Sequence, residues 1–177
     1  NNLAGAKWIC QNMGVDEADF YEAIASFKGA SKRLEKIAEG NGKVAYKDFA
    51  HSPSKVSATT KAVKAQYPNR KLVACLELHT YSSLNAEFLK EYEGALDAAD
   101  VAVVFYSPDA VKIKQLEEVS YDQIAQSFQR DDLIIYTNPA EFKDFLFNYD
   151  LNNSALLLMS SGNYGGLNFD ELKRLIN

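Results

Sequence analysis

The sequence has few cysteines and no apolar run long enough to cross a membrane. Only Cys10 and Cys75 occur among its 177 residues, too few for a disulfide framework or a cysteine-rich zinc site. The longest apolar runs, at 101–106 and 155–159, fall far short of the roughly 20 residues that span a bilayer. No basic-then-apolar leader follows Asn1, as a secretory signal would require. We therefore expect a cytoplasmic protein that has no membrane partner.

Two common phosphate-binding signatures are absent as well. The sequence contains neither G-x-x-x-x-G-K-[ST] nor G-x-G-x-x-G, in which glycines let backbone N–H groups surround phosphate oxygens. If the chain belongs to an ATP-dependent enzyme, its main phosphate-binding loop must lie in another part of the protein. The 177 residues alone are then expected to be inactive.

The chain is mildly acidic, but its positive charge is concentrated in one segment. The formal net charge of −5 argues against a nucleic-acid partner. Residues 28–71 hold 11 Lys or Arg and 3 Asp or Glu, so this segment carries +8 and the remainder −13. A charged segment is most often a solvated face, yet an excess of this size also suits an anionic ligand such as a nucleotide.

Local patterns predict two helices, a hairpin and then a regular alternation. Residues 3–13 and a segment that begins at Asp16 read as helices, and 27–31 as a hinge. An Asn-Gly step at 41–42 predicts a hairpin between strands at 33–39 and 43–50. Further helices are expected at 54–66, 85–98, 109–129, 140–148 and 168–176, and apolar strands at 71–76, 101–106, 133–136 and 155–159.

Short apolar strands that alternate with helices are typical of a parallel sheet covered on both faces. We therefore predict an α/β fold: a three-layer, Rossmann-like domain with a mostly parallel sheet of about six strands, including the N-terminal hairpin. The chain length suits one such domain, or one domain plus a fragment. Ligands of these sheets bind at the carboxyl ends of the strands.

The predicted carboxyl ends of the strands are residues 48–53, 77–83, 106–109, 137–139 and 160–166. Within them, 48–53, 79–83 and 160–166 carry polar residues that could form a site, and both histidines of the chain, His51 and His79, lie in the first two. An aspartate such as Asp48 can accept hydrogen bonds from ribose hydroxyls, and the following helix N-terminus favours anions. Two histidines without a third ligand of clear spacing do not make a metal site, so none is predicted. The alternative is ordinary turn and capping chemistry in all three segments.

The same segments resemble motifs of the Mur ligases. Residues 27–35 resemble the F-x-G-x-x-x-R-x-E motif at the start of the family's C-terminal domain, and 48–53 (D-F-A-H-S-P) resemble D-[FY]-A-H-H-P. The H-x-Y-S string at 79–82 resembles P-H-x-Y-S-R. Residues 2–6 are similar to the end of the helix that closes the family's central ATPase domain. The resemblance implies that residues 1–26 end a truncated central domain and that 27–177 form the C-terminal domain.

The resemblance also implies an activity and a set of site residues. Mur ligases use ATP and Mg²⁺ to join an amino acid or peptide to a UDP-sugar such as UDP-N-acetylmuramate, through an acyl phosphate. Arg33 would then contact ATP, Asp48 its ribose, and His51 the nucleotide or the reacting centre. The Mg²⁺ ligands would lie mainly in the central domain, and the UDP-sugar site in the N-terminal domain, both of which this chain lacks. The incoming substrate would face His79, Tyr81, Ser82, Ser161, Asn163 and Tyr164.

One loop, together with three departures from the family motifs, indicates the substrate preference within the family. Residues 160–166 (S-S-G-N-Y-G-G) are most similar to the branch that adds L-alanyl-γ-D-glutamyl-meso-diaminopimelate in peptidoglycan recycling. Ser52 and Leu78 replace a His and a Pro of the motifs, and Ser83 stands where the L-alanine-adding branch has Arg. Two alternatives remain open at this point. One is an L-alanine ligase, and the other is a non-catalytic, flavodoxin-like binding module.

Overall fold

A computed structural model describes residues 2–27, 33–115 and 119–176 of the chain. It divides into two compact units, Asn1–Ala30 and Ser31–Asn177. The predicted hinge at 27–31, and with it most of the F-x-G motif, falls on residues 28–32, which lie outside the described residues. No helix of the described segments is long and apolar enough to cross a membrane.

The first unit is a pair of helices, α1 (Asn2–Asn12) and α2 (Glu17–Ala25). Gly14 takes a φ of +91° just after α1, the left-handed conformation that glycine adopts at helix ends. Asp16 caps α2, because its side chain accepts the backbone N–H of Asp19 at 2.8 Å. Both local features agree with the predicted helix boundaries.

The second unit is built on a six-stranded sheet in the order β1-β2-β6-β3-β4-β5. Only β1 runs antiparallel to its neighbour; the other pairs are parallel. The strands are β1 (Glu35–Gly40), β2 (Lys43–Asp48), β3 (Lys71–Glu77), β4 (Val101–Phe105), β5 (Ile134–Tyr136) and β6 (Ser154–Met159). The helices are α3 (Pro53–Gln66), α4 (Ala86–Leu89), α5 (Pro108–Ile113), α6 (Tyr121–Phe128), α7 (Pro139–Asn148) and α8 (Phe169–Ile176).

Alternate residues of the strands feed two separate cores, one on each face of the sheet. In β3, Leu72 and Leu76 join the cluster that contains residues of α3 and α6, whereas Val73 and Cys75 join the cluster that contains residues of α7 and α8. This division follows from the two-residue period of a strand. It confirms the predicted α/β fold: a mostly parallel sheet with helices on both faces.

The hairpin forms as its sequence predicts. Asn41 and Gly42 have φ values of +50° and +76°, the pair of left-handed conformations that a type I′ turn needs. Cys75 is a core residue, as its apolar strand suggested. Its side chain is fully buried, and burial raises the pKa of its thiol well above the ordinary value, which disfavours the nucleophilic thiolate.

The prediction of one continuous helix over 85–98 is wrong. The segment contains only α4, flanked by single 3₁₀ turns at Ser82–Leu84 and Lys90–Tyr92. Glu93, with a ψ of 126°, takes the chain out of helical geometry, and Gly94 follows in the left-handed region with a φ of +69°, which glycine adopts at least cost. The irregular path places Tyr92 in the core, and this tyrosine reaches the candidate site.

Candidate functional site

The sheet order brings three of the predicted segments to one edge. In register, Asp48 of β2 pairs with Met159 of β6, and Met159 pairs with Leu76 of β3. Parallel neighbours end at the same edge, so Asp48, Ser160 and Glu77 lie side by side at the carboxyl end of the sheet. This is the edge at which open α/β sheets bind ligands.

Asp48 uses both carboxylate oxygens to hold backbone. Oδ2 accepts the N–H of Leu34 at 2.5 Å, and Oδ1 accepts the N–H of Ala50 at 2.6 Å. Leu34 has a φ of +43°, a conformation that an L-residue with a side chain rarely adopts without external contacts. Each carboxylate oxygen retains acceptor capacity, so Asp48 can still receive a ligand hydroxyl.

Arg33 and His51 both contact the ring of Phe49. The Arg33 guanidinium carbon lies 5.5 Å from the centre of the Phe49 ring, within the range of a cation–π contact. The Phe49 and His51 rings meet edge to face at 5.1 Å. His51 Nδ1 lies 2.8 Å from the carbonyl oxygen of Phe49; a carbonyl only accepts, so Nδ1 carries the hydrogen of this contact and Nε2 is left for another partner.

Tyr92 supports His51 from the core. Its hydroxyl donates to the backbone carbonyl of His51, across 41 residues of sequence. Tyr92 has no exposed surface, and burial raises the pKa of its phenol, so the hydroxyl stays a donor. Sequence reasoning missed this contact because Tyr92 lies inside the segment 85–98, which the sequence predicts as one continuous helix.

The start of α3 completes this side of the edge. Ser52, the residue before Pro53, makes no side-chain cap to the helix, so the first backbone N–H groups of α3 keep their capacity to bind an anion. We name Arg33, Asp48, Phe49, His51 and the start of α3 the Asp48 segment.

The positive charge of residues 28–71 is partly neutralised within the fold. Lys36 pairs with Glu39 at 2.6 Å, Lys47 with Glu35 at 3.0 Å, and Lys64 with Asp100 at 2.6 Å. Glu35 and Glu39 belong to the segment and are already counted in its +8, so of these three pairs only Lys64–Asp100 draws on the excess, and most of the excess stays available to a ligand. Arg33 remains exposed next to the sheet edge.

A second group of residues surrounds a buried carboxylate that sequence reasoning did not select. Glu77, at the end of β3, is only 4% exposed. Its Oε2 accepts the Ser160 hydroxyl and, at 2.9 Å, the backbone N–H of Tyr164. Its Oε1 lies 3.8 Å from His79 Nδ1. The available signal was a lone acidic residue closing an apolar strand.

Gly162 fits closely against the same carboxylate. A Cβ at this position would come within 2.8 Å of Glu77 Oε2 and 2.9 Å of His79 Cγ. The Gly162 N–H also donates to the Ser160 hydroxyl oxygen at 2.6 Å. We name Glu77, His79, Ser160, Gly162 and Tyr164 the Glu77 cluster.

Tyr164 lies in the core and not on the surface of the loop. Its ring stacks on Phe142 at 5.0 Å and 14°, and its hydroxyl lies 2.8 Å from the carbonyl oxygens of both Cys75 and Met159. Burial raises the pKa of the Tyr164 phenol well above its ordinary value, so the group remains a donor. Its side chain therefore anchors the loop from below.

Other loop residues keep polar groups near the edge. Ser161 Oγ is buried and has no hydrogen-bond partner among the residues that the structure describes. Asn163 is exposed, and its Oδ1 accepts the Gly166 N–H at 3.2 Å. A cavity of about 210 Å³ opens beside this loop; its lining comprises Lys47, Asp48, Leu158, Ser160, Gly162, Asn163, Tyr164 and Phe169.

The segment after His79 contains one buried and two exposed members. Tyr81 is 63% exposed, with the Lys114 ammonium 4.7 Å from its ring centre, and Ser82 is exposed beside it. Ser83 is 1% exposed, because its hydroxyl accepts the Thr80 N–H at 2.9 Å and closes the turn. The position at which the L-alanine branch has Arg therefore presents no side chain to a ligand.

The described residues contain no cluster of three or more His, Cys, Asp or Glu side chains that could hold a metal ion. By themselves they therefore do not fit Mg²⁺. The Asp48 segment does suit an anionic nucleotide, because it combines an exposed guanidinium, a carboxylate with acceptor capacity and an uncapped helix N-terminus.

Fold and edge together define an α/β domain that offers polar groups from three neighbouring strand ends. The family described as "Mur ligase, glutamate ligase domain" matches residues 32–162, most of the chain. The chain belongs to the Mur ligase family, and the recognition of its C-terminal domain from sequence is confirmed.

Individual relatives agree with this assignment. The chain is 29% identical over 176 residues to a UDP-N-acetylmuramate–L-alanine ligase of Agathobacter rectalis, covering 98% of this chain and 38% of that protein. It matches the fold of a Thermotoga maritima UDP-N-acetylmuramate–alanine ligase with a TM-score of 0.70 and 17% identity, over 99% of this chain and 36% of that one. A murein peptide ligase of Psychrobacter arcticus gives a TM-score of 0.67 at 20% identity, over 99% and 35%. The chain thus spans under two fifths of the length of these relatives.

Proposed function

We propose that this chain is the C-terminal part of an ATP-dependent ligase that joins L-alanyl-γ-D-glutamyl-meso-diaminopimelate to UDP-N-acetylmuramate in peptidoglycan recycling. Membership in the Mur ligase family supports the ligase class. The observation that carries the proposal is the juxtaposition, on adjacent strands, of the Asp48 segment and the loop at 160–166. One edge of the sheet would then face both ATP and the incoming amine.

In this proposal the Asp48 segment binds the nucleotide. Asp48 accepts a ribose hydroxyl with the acceptor capacity left by its two backbone contacts, and Arg33 faces the phosphates. His51 presents Nε2 near the nucleotide or the reacting centre. ATP supplies the phosphoryl group that turns the sugar carboxylate into an acyl phosphate.

The substrate side would be formed by His79, Tyr81, Ser82, Ser161 and Asn163, with Tyr164 supporting the loop from the core. Ser161 Oγ supports this assignment: it is buried and has no partner in the part of the chain that the structure describes, and a buried hydroxyl without a partner is costly unless a ligand satisfies it. The domain would act by positioning: the amine of the peptide is held for attack on the acyl carbon, and phosphate leaves. Such alignment alone can lower a barrier by several kcal/mol.

The chain divides into two units, and its relatives are about three times as long. Both facts support a proposal for the rest of the protein. We propose that residues 1–26 end a central ATPase domain, and that this domain and an N-terminal domain supply the phosphate-binding loop, the Mg²⁺ ligands and the UDP-sugar site. The length of the relatives supports this, because the chain spans about a third of them. The substrates are cytoplasmic precursors, so the protein would act in the cytoplasm.

The second candidate is an L-alanine ligase. The name of the Agathobacter rectalis relative favours it, at 29% identity over almost the whole chain. The buried Ser83 favours the peptide substrate instead, because an L-alanine site in this family would have Arg at that position to hold the carboxylate.

The two candidates separate in a direct assay. The longer protein that carries this chain would be incubated with UDP-N-acetylmuramate, ATP and either L-alanine or the tripeptide, and amide product and released phosphate would be measured. Product from the tripeptide is expected. Product from L-alanine alone would establish the second candidate, and product from neither would contradict both.

The 177-residue chain offers an independent check on the division of labour. Since its sequence lacks the phosphate-binding signatures, it is expected to hydrolyse no ATP and to bind ATP weakly in titration calorimetry. Sustained ATP turnover by this chain alone would contradict the assignment to a C-terminal part.

A further inference from the structure

We propose that Glu77 is a positioning residue for the incoming amine substrate: its one carboxylate fixes both the loop at 160–164 and the ring of His79. The proposal rests on the function above and adds to it a residue that none of the sequence motifs contains. Glu77 would not itself touch the substrate, because only 4% of the residue is exposed.

The loop half of the proposal follows from Oε2. This oxygen accepts the Ser160 hydroxyl and the Tyr164 N–H, and Ser160 in turn accepts the Gly162 N–H at 2.6 Å. Three anchor points of the loop thus lead back to one carboxylate oxygen. Ser161 and Asn163, the residues proposed to meet the substrate, alternate with these anchored residues, so their placement depends on Glu77.

The histidine half follows from Oε1. His79 Nδ1 lies 3.8 Å from this oxygen, and the space between the two side chains is closed by Gly162, where a Cβ would meet both. Of the His79 side chain, 41% remains exposed, so part of the ring is open to a ligand at the edge.

The negative charge of Glu77 matters for its contact with His79 and not for its hydrogen bonds to the loop. A glutamine could accept the same two hydrogen bonds with its amide oxygen, and burying a neutral amide costs less than burying a carboxylate. What the negative charge adds is attraction for His79 wherever Nδ1 carries a hydrogen; at 3.8 Å this is an electrostatic contact and not a hydrogen bond. A carboxylate at a nearly buried position is thus accounted for only when the His79 contact is included.

The test compares Glu77→Gln and Glu77→Ala in the longer protein, with Glu141→Gln as a matched control. Glu141 is an exposed glutamate in the first turn of α7, outside the site. For Glu77→Ala we expect the KM for the incoming amine substrate to rise roughly 10-fold to 100-fold, since displacement of a positioning group by about 1 Å has effects of this size. The KM for ATP should change by less than about twofold, because that effect is local to one side of the edge.

Glu77→Gln should disturb the His79 contact and leave the loop contacts in place. Because it keeps the acceptor for Ser160 and Tyr164, the amide NMR signals of Gly162 and Tyr164 should stay near their original positions, while the ring signals of His79 shift. In Glu77→Ala both sets should shift. Kinetics of Glu77→Ala that match Glu141→Gln, or equal changes in both KM values, would overturn the proposal.

The NMR measurement is made on the 177-residue chain and does not depend on the reaction. If the longer protein ligates neither substrate, the proposed function fails. The NMR signals of the loop and of His79 still show which of them Glu77 holds in place. If Glu77→Ala does not fold, the glutamine variant retains the test through His79 alone. Unchanged His79 signals in Glu77→Gln would remove the histidine half.

Discussion

Two carboxylates at the same sheet edge do comparable work over very different sequence distances. Asp48 accepts backbone N–H groups 14 residues before it and 2 residues after it. Glu77 accepts groups 83 and 87 residues further along the chain. Asp48 is half-buried, whereas Glu77 is almost fully buried. Asp48 does this within a local motif and Glu77 through tertiary contacts, but both are strand-end carboxylates that hold a loop in place.

The difference bears on how each side of the site tolerates change. The Asp48 segment is organised mainly by its own neighbours and by Tyr92, so it should keep its shape when the far loop is altered. The Glu77 cluster joins β3 to the segment after β6 and has no local substitute. We therefore expect substitutions in the Glu77 cluster to have the larger effects.

Replacing Gly162 by alanine should give the largest effect. The new Cβ would lie 2.8 Å from Glu77 Oε2 and 2.9 Å from His79 Cγ, so the loop must move; overpacking of this kind costs about 2 to 3 kcal/mol. The midpoint of thermal unfolding should fall by roughly 5 to 10 °C. Gly5→Ala is the control, because nothing lies within 4 Å of a Cβ there. An unchanged midpoint for Gly162→Ala would mean that the loop is looser than its contacts indicate.

Asp48→Ala should lower the free energy of unfolding by less than Gly162→Ala does. Its effect on activity should be confined to ATP. The backbone N–H groups of Leu34 and Ala50 lose their acceptor at partly exposed positions, which costs about 1 to 2 kcal/mol. The KM for ATP should rise in the longer protein, while the KM for the amine substrate stays near its original value. Asp48→Asn, which keeps one acceptor oxygen, should lie between. A KM for ATP unchanged by the alanine substitution would remove Asp48 from the nucleotide site.

Tyr164→Phe tests the support beneath the loop without touching its surface. The ring keeps its stacking on Phe142, and only the hydroxyl contact to two carbonyl oxygens is lost, at a cost of about 1 kcal/mol. Denaturant unfolding measures the loss. Tyr81→Phe, at a 63% exposed residue, should leave stability unchanged; an equal loss in both variants would contradict the anchoring role.

Substitution of Asp100 should have the smallest effect. This carboxylate lies away from the candidate site. It precedes β4 and accepts from Lys64 Nζ and the Leu72 N–H, both at 2.6 Å. Partial burial raises the pKa of Asp100, but these two hydrogen bonds outweigh burial, so its pKa lies below the ordinary value. A lowered folded-state pKa gives stability that is present above the unfolded-state value of about 4 and is lost as the pH falls through the folded-state value.

Asp100→Asn should therefore destabilise the chain by less than about 1 kcal/mol at about pH 7, since the Lys64 pair is substantially exposed. The difference from the original chain should shrink as the pH falls below about 4, in unfolding titrations at several pH values. A difference that persists at low pH would exclude the charge as its source.

The comparison of the two carboxylates also separates what the sequence can predict from what it cannot. The α/β fold and the Asn41-Gly42 turn follow from short-range patterns, and the structure confirms them. Asp48 stands out because its partners are close in sequence and its segment resembles a Mur ligase motif. Glu77 does not, because the residues that donate hydrogen bonds to it, Ser160 and Tyr164, lie 83 and 87 residues further along the chain.

Two further features depended on tertiary contacts. The sequence predicts one helix over 85–98, but the segment contains a buried Tyr92 whose hydroxyl donates to the carbonyl of His51, 41 residues away, a contact that no local pattern reveals. Tyr164 sits in a glycine-containing loop that suggests a flexible surface turn. Its ring nevertheless fills the space beside Phe142, and such core volume is set by strands distant in sequence.

The position of β6 has a consequence for how the chain becomes a domain. This strand is the last of the sheet in sequence, yet it lies between β2 and β3. Until residues 154–159 leave the ribosome, β2 and β3 have no shared neighbour, so the Asp48 segment cannot be brought beside Glu77 and the Glu77 cluster cannot be assembled. The nascent chain therefore completes its sheet only after this strand is made, as a non-local closure that slows folding. A premature stop before this strand would leave two separate sheet fragments with exposed edges, the kind of surface on which chains aggregate.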